Sequence, residues 1–151
     1  MYLQNLHTHS SYCDGLDTPE RMLMRAQEKG FRSIGFSGHS YAWYSPAYAG
    51  KPDITEDYKA EIRRLQAKYR DQLDVFLGLE VEMYAKPDMT GFDYLLGSVH
   101  YLEMDKDHYV GFDRSAAVVA DVINRYFGGD GMAYAKAYYK AMSQLPDYGN
   151  F

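Results

Sequence analysis

The run Val75-Phe76-Leu77-Gly78-Leu79 narrows most what this chain can become. Apolar or small residues in unbroken succession leave no polar face. A strand made from them is therefore covered on both sides, as in a parallel sheet flanked by helices. Tyr94-Leu95-Leu96-Gly97-Ser98-Val99 has the same character, and Leu3 to His9 and Phe31 to Ser37 are two further strand-like runs. Helical patterns lie between them. Thr18-Pro19-Glu20 opens one helix with a capping hydroxyl and a proline at the first helical position, and Gly30 ends it. From Thr55 to Arg70, Tyr58, Ile62, Leu65 and Tyr69 form one stripe of an amphipathic helix. Ala116 to Phe127 and Met132 to Leu145 have helical spacing around a Gly128-Gly129-Asp130-Gly131 break. Tyr41 to Pro52, Glu103 to Arg114 and Pro146 to Phe151 read as loops. Strands alternating with helices predict an α/β chain of parallel βα units joined by right-handed crossovers.

Composition sets the class of partner. With 151 residues, 46% of them hydrophobic, the chain can bury one core, and a single domain over 1–151 is expected. A formal charge of −5 gives no basic footprint, which argues against nucleic acid and favours a small metabolite. No run of apolar residues is long enough to span a bilayer, and the start lacks the basic flank and cleavage region of a signal peptide. A cytoplasmic protein without membrane partners is expected. The single cysteine, Cys13, cannot form an internal disulfide and reads as a small buried residue.

The chemistry gathers where the strand-like runs end. In barrels built from βα units the site lies at the C-terminal ends of the strands. His7 and His9 project from the same face of the first run, close enough to share one metal ion, and His39, Glu80 and His100 follow the other three. A lone histidine on an apolar stretch is usually a hydrogen-bonded core group. Four successive strand exits carrying such residues favour a common site. Glu80 adds weight of its own, because a carboxylate after a buried strand is costly unless paired or bound to metal. Glu82 shares the face of Glu80 and reads as a second ligand or a salt-bridge partner. Asp14 either ligates or simply makes a turn with Gly15. His108 reads as solvated, as do Arg21, Arg25 and Arg32. Most of the tyrosines are packing residues, with Tyr41, Tyr44 and Tyr48 the candidates for site neighbours. The glycine-rich break lacks the Gly-Lys-Ser/Thr ending of a phosphate loop, and neither Ser37-Gly38-His39 nor Cys13 sits in a nucleophile elbow. Metal chemistry is what remains.

Leu6-His7-Thr8-His9-Ser10, Asp14-Gly15, Ser37-Gly38-His39-Ser40, Gly78-Leu79-Glu80-Val81-Glu82 and Gly97-Ser98-Val99-His100-Tyr101-Leu102 together resemble the polymerase and histidinol phosphatase (PHP) superfamily. Gly97 to Leu102 resembles its histidinol-phosphate phosphatase branch in particular. The resemblance implies a distorted (β/α)7 barrel holding up to three divalent metal ions at the strand C-termini. It assigns His7 and His9 to one ion, Glu80 as a bridge to a second that also takes His100, and Asp14 and His39 to a third. His9, Glu80 and His100 are then the residues nearest the catalytic step. Ligands of imidazole and carboxylate without thiolate suit zinc first, then manganese or iron. In the family, further ligands follow on later strands, and Phe151 falls about where the first of these begins. The resemblance therefore implies about half a barrel here, a PHP domain truncated at its C-terminus or one completed by a second chain.

For a complete member the implied reaction is hydrolysis of a phosphate monoester, L-histidinol phosphate of histidine biosynthesis first. Paired metal ions about 3.5–4 Å apart clamp the phosphate and lower the pKa of an attacking water. Two other readings stand beside it. One is a PHP phosphoesterase acting on nucleotides or nucleic-acid ends, disfavoured by the acidic charge and the absence of a polymerase module. The other is a non-catalytic remnant that binds metal or serves as an interaction module.

Overall fold

A computed structural model describes residues 2–45, 55–149 and 151. The chain forms two compact units, residues 1–96 with Phe151 and residues 97–150. The first is built from β1 (Leu3–Asn5), α1 (Pro19–Glu28), β2 (Phe31–His39), α2 (Thr55–Tyr69), β3 (Asp74–Glu82) and the start of β4 (Tyr94–Ser98). The strands form one sheet in the order β1-β2-β3-β4, a parallel wall curled as half of a barrel.

The helices form for the reasons legible in the sequence. Thr18 Oγ1 caps α1 by accepting from the Arg21 N–H, and Pro19 occupies the first turn. The buried residues of α2 are Tyr58, Ile62, Leu65 and Tyr69, the stripe read from periodicity. Leu23 and Ala26 of α1 join these in one core, against Ile34 and Phe36 of β2 and Val75 and Leu77 of β3. Alternation along the strands places those residues on the outer, helix-covered face. The same alternation sends Gly35, Ser37 and His39 of β2 and Phe76, Gly78, Glu80 and Glu82 of β3 to the inner face. The register pairs Ser37 with Gly78 and His39 with Glu80, so the inner face becomes polar toward its C-terminal end.

The strand limits depart from the sequence reading in ways that matter. β1 ends at Asn5 rather than His9. Beyond it the chain still runs beside β2, because the Thr8 carbonyl accepts from the Ser37 N–H (2.9 Å) and the Thr8 hydroxyl donates to the Gly35 carbonyl (2.7 Å). β3 continues past Leu79 to Glu82, so Glu80 lies inside the strand rather than after it. Asp93 fastens the entry to β4: its carboxylate accepts from the Leu77 N–H (2.8 Å), and its own N–H donates to the Leu77 carbonyl (2.7 Å).

In the second unit, Glu103 to Arg114 is not a loop throughout. It contains most of an antiparallel hairpin, β5 (Tyr101–Asp105) and β6 (His108–Gly111), pairing Leu102 with Val110 and Glu103 with Tyr109. The turn works because Asp107 accepts a left-handed φ of 62°, a region aspartate tolerates better than most side chains. α3 (Ala116–Phe127) is capped by Ser115, and α4 (Gly131–Gln144) by Asp130, whose carboxylate accepts from the Met132 and Ala133 N–H groups. The glycine-rich break is thus a helix connection. A short 3-10 turn, Leu145–Asp147, stands where a loop was expected. Among the described residues, no helix is long and apolar enough to cross a membrane.

Candidate metal centre

Glu80 is the pivot of the inner face. Its side chain is only 4% exposed, and its Oε2 meets three imidazoles: His7 Nε2 at 2.9 Å, His9 Nε2 at 3.1 Å and His39 Nδ1 at 3.4 Å. His39 arrives by register, directly opposite Glu80 on the neighbouring strand. His7 and His9 arrive from the segment after β1 with their ring centroids 5.1 Å apart, and His9 and His39 are 4.4 Å apart. A carboxylate withdrawn from water costs several kcal/mol unless positive charge faces it. Here that charge comes from imidazolium or from a bound cation.

A second cluster shares two of these rings. Asp14 Oδ1 lies 3.0 Å from His9 Nδ1, and its Oδ2 lies 3.6 Å from His39 Nε2. The tight turn that delivers Asp14 folds back on the first histidine segment, with the Cys13 and Gly15 N–H groups both donating to the Ser10 carbonyl. Gly15 is required there: a Cβ would lie 2.5 Å from the carbonyl group of His9 and from the Ser10 nitrogen. Within the first unit, the triads His7-His9-Glu80 and His9-Asp14-His39 each bring their ligand atoms close enough to hold one metal ion. His9 belongs to both, one ring nitrogen facing each carboxylate.

The electrostatics agree with a site that expects positive charge. The His9 imidazole is held protonated up to about 10 by the Cys13 sulfur and the Glu80 carboxylate, against the opposing effect of burial. At Nδ1, Asp14 at 3.0 Å is closer than the Cys13 sulfur at 3.6 Å, and the carboxylate is the stronger partner of that nitrogen. Burial pushes the Asp14 carboxyl up, but the Cys13 hydrogen bond and the charges on His39 and His9 bring it below its ordinary value. The Cys13 thiol is likewise lowered: its burial is outweighed by His9 and by backbone hydrogen bonds.

His100 follows β4 in the second unit, with its Nε2 3.9 Å from the Asp113 carboxylate. Glu82 is buried on the Glu80 face, and its N–H donates to the Ser40 hydroxyl (3.1 Å), but it joins neither triad. His108 is exposed on β6, 4.0 Å from Asp105. Arg21 and Arg25 are solvated on α1. Tyr41 is exposed and Tyr44 half-buried, and Tyr48 lies outside the described residues.

Sequence reasoning missed three neighbours of the site. Cys13 is half-buried beside His9 rather than an inert packing residue, and its place between His9 and Asp14 was the available signal. Tyr58 carries its hydroxyl to the β2–β3 rung beneath the site, accepting from the Gly38 N–H (3.3 Å) and donating to the Gly78 carbonyl (2.9 Å). Tyr94 of β4 lays its ring across the inner face over Gly78 and Gly35, and its hydroxyl donates to the Leu6 carbonyl (2.6 Å). A Cβ on Gly78 would lie 2.2 Å from that ring, and one on Gly35 would lie 2.3 Å from its hydroxyl oxygen. The two glycines therefore make room for a tyrosine floor under the histidines.

Comparison with known proteins finds relatives of this chain. The family model described as the PHP domain matches residues 5–143. A Deinococcus radiodurans protein carrying the histidinol-phosphatase name is 31% identical over 134 residues, covering 82% of this chain and 49% of that protein. A solved Listeria monocytogenes structure, assigned as a histidinol phosphatase, superposes with a TM-score of 0.77 at 20% identity, over 94% of this chain and 60% of that one. The Lactococcus lactis histidinol phosphate phosphatase, solved with zinc, L-histidinol and phosphate, gives a TM-score of 0.58 at 22% identity, over 82% and 54%. The chain spans about half the length of the first of these relatives.

Proposed function

The chain belongs to the PHP domain family, and from that premise we propose that it supplies the N-terminal ligands of a divalent-metal phosphate-monoester hydrolase acting on histidinol phosphate. The observation that carries the reading is the convergence of three imidazole nitrogens on one buried carboxylate oxygen within 2.9–3.4 Å. Such a donor set fits zinc, with manganese and iron as the other candidates by ligand type.

His7, His9 and Glu80 would hold one ion, and Asp14 with His39 would hold a neighbouring one. His100 is assigned to the same metal set from its motif. Such ions, when bound, would supply charge against the phosphoryl oxygens and a water acidic enough to be a nucleophile near neutral pH. The residues of this chain do the rest of what is visible. Glu80, buried at the centre, fixes the spacing between ligand rings. His9, linked to Glu80 on one side and Asp14 on the other, ties the two triads together. Its proton, held to about 10, must leave before the ring can ligate, so metal binding and proton release are coupled. The names of the Deinococcus and Lactococcus relatives support the amino-alcohol phosphate as substrate, and the net charge of −5 disfavours a nucleic-acid end.

The test is phosphate release from histidinol phosphate, p-nitrophenyl phosphate and a nucleotide panel, by this chain and by a form as long as its relatives, each stripped of metal and reloaded with zinc. The proposal expects turnover by the longer form with histidinol phosphate preferred. A nucleotide preference would move the assignment to a nucleic-acid phosphoesterase. No turnover by the zinc-loaded longer form would remove the enzymatic reading.

A further inference from the structure

The segment that carries His7 and His9 is not held by a regular ladder. β1 pairs with β2 only through Leu3, Gln4 and Asn5, with a register shift inside that short stretch. His7 itself is 55% exposed at its side chain, so packing does little to orient it. What fixes the backbone before it is a pair of side-chain hydrogen bonds to the two ends of one peptide unit. Tyr94 Oη donates to the Leu6 carbonyl at 2.6 Å, and Asn5 Oδ1 accepts from the His7 N–H at 3.0 Å. The Leu6 carbonyl and the His7 N–H belong to the same planar group, so the two bonds together set the tilt of that plane. The tilt determines ψ of Leu6 and φ of His7, and with them the direction in which the His7 side chain leaves the backbone.

We propose that Tyr94 is a positioning residue for the metal ligands, acting through the Leu6–His7 peptide plane to hold His7 at the distance from Glu80 that a shared ion requires. The inference rests on the metal-binding reading above and deepens it. Tyr94 suits the role because it cannot easily drift. Its ring spans the inner face from β4 across β3 to β2, seated where Gly78 and Gly35 leave no side chain in the way. Its hydroxyl therefore reaches the segment just after β1 from the β4 side of the sheet, along a path that shorter or more flexible donors would not hold. Burial raises its pKa, so the hydroxyl stays a proton donor across the whole range in which the imidazoles titrate. Asn5 completes the clamp from the other side and is exposed, so its removal disturbs no core.

The test uses Tyr94→Phe, which keeps the ring on the glycines and removes only the hydroxyl, beside Asn5→Ala and a control, Tyr69→Phe, on the helix-facing side of the fold. Zinc affinity is measured by competition with a chromophoric chelator, the cobalt(II) visible spectrum is recorded, and amide exchange is followed at residues 6–9 in the metal-free chain. Losing one such hydrogen bond is worth about fivefold in an equilibrium constant. The expected result is zinc affinity weakened about fivefold in Tyr94→Phe and by a similar factor in Asn5→Ala, an altered cobalt spectrum, and faster exchange at the His7 amide, with Tyr69→Phe unchanged. Unchanged zinc affinity and cobalt spectrum in Tyr94→Phe would overturn the proposal, whatever happens to its melting temperature, because a purely structural tyrosine would move only the latter. Failure of the wild-type chain to bind zinc at all would instead overturn the metal reading, and this proposal with it.

Discussion

Gly78→Ala probes the tyrosine floor of the site. The added Cβ would stand 2.2 Å from Cζ of Tyr94 and 2.5–2.6 Å from two further ring carbons, where carbon atoms normally keep about 3.5–4.0 Å. The ring must retreat by more than about 1 Å to restore ordinary contact, and a rigid aromatic cannot do so by rotating a flexible end. Overpacking of this kind costs about 1–3 kcal/mol. Retreat also draws the hydroxyl from the Leu6 carbonyl, which it reaches at 2.6 Å, for about 1 kcal/mol more. The expected total of about 2–4 kcal/mol corresponds to a fall in melting temperature of roughly 5–12 °C for a chain of this size. Urea and thermal unfolding of the metal-free protein, followed by circular dichroism, would measure it. The decisive comparison is a double-mutant cycle with Tyr94→Leu. Once the ring is gone, alanine at position 78 has space, so its cost drops below about 1 kcal/mol, and the coupling exceeds the scatter of additive sites, about 0.3–0.5 kcal/mol. Equal cost in both backgrounds, or a negligible cost in the wild type, would refute the close approach of the Tyr94 ring to Gly78.

Two further outcomes follow from the site. Cys13 and Glu80 raise the folded-state pKa of His9 from the ordinary histidine value of 6.5 to about 10, so the folded metal-free chain holds a proton that the unfolded chain releases across that window. Its contribution is fully present below about 6.5 and is lost as pH rises toward 10; melting temperature should fall over that range, with a smaller slope in His9→Gln and in Cys13→Ser, and a slope unchanged in both would contradict the role given to His9. Gly15→Ala should displace Asp14, because its Cβ meets the His9–Ser10 peptide at 2.5 Å. Calorimetric titration with zinc should show the ion near Asp14 and His39 weakened about tenfold or more, with the ion near His7 less affected; equal weakening of both would mean that Gly15 acts through the fold as a whole.

Local periodicity made the helices legible. Tyr58, Ile62, Leu65 and Tyr69 could be assigned to one face of α2 because a helix repeats every few residues whatever surrounds it. The convergence of His7, His9, His39 and Glu80 was legible from their positions at successive strand exits, since parallel strands deliver their ends to one side of the sheet. The β5–β6 hairpin escaped because Glu103, Asp105, Lys106, Asp107 and His108 are loop-like in composition, and the turn depends on one aspartate accepting a left-handed conformation. Tyr94 escaped for another reason. Its function as a floor requires Gly35 and Gly78 to lie beneath one ring, and their relative placement is a matter of register between strands, which no periodicity within either strand specifies. Cys13 and Asp14 shared that difficulty: a turn signal was visible, but its direction depended on Gly15 packing against the His9–Ser10 peptide.

The central claim is that the inner-face cluster is a metal centre, and the most direct measurement is the anomalous scattering of zinc in crystals of this chain. The account predicts a zinc peak at bonding distance, about 2.0–2.2 Å, from nitrogens of His7 and His9 and from a Glu80 carboxylate oxygen. A peak only at surface residues away from His7, His9, Asp14, His39 and Glu80, or none at zinc concentrations that saturate related sites, would contradict it.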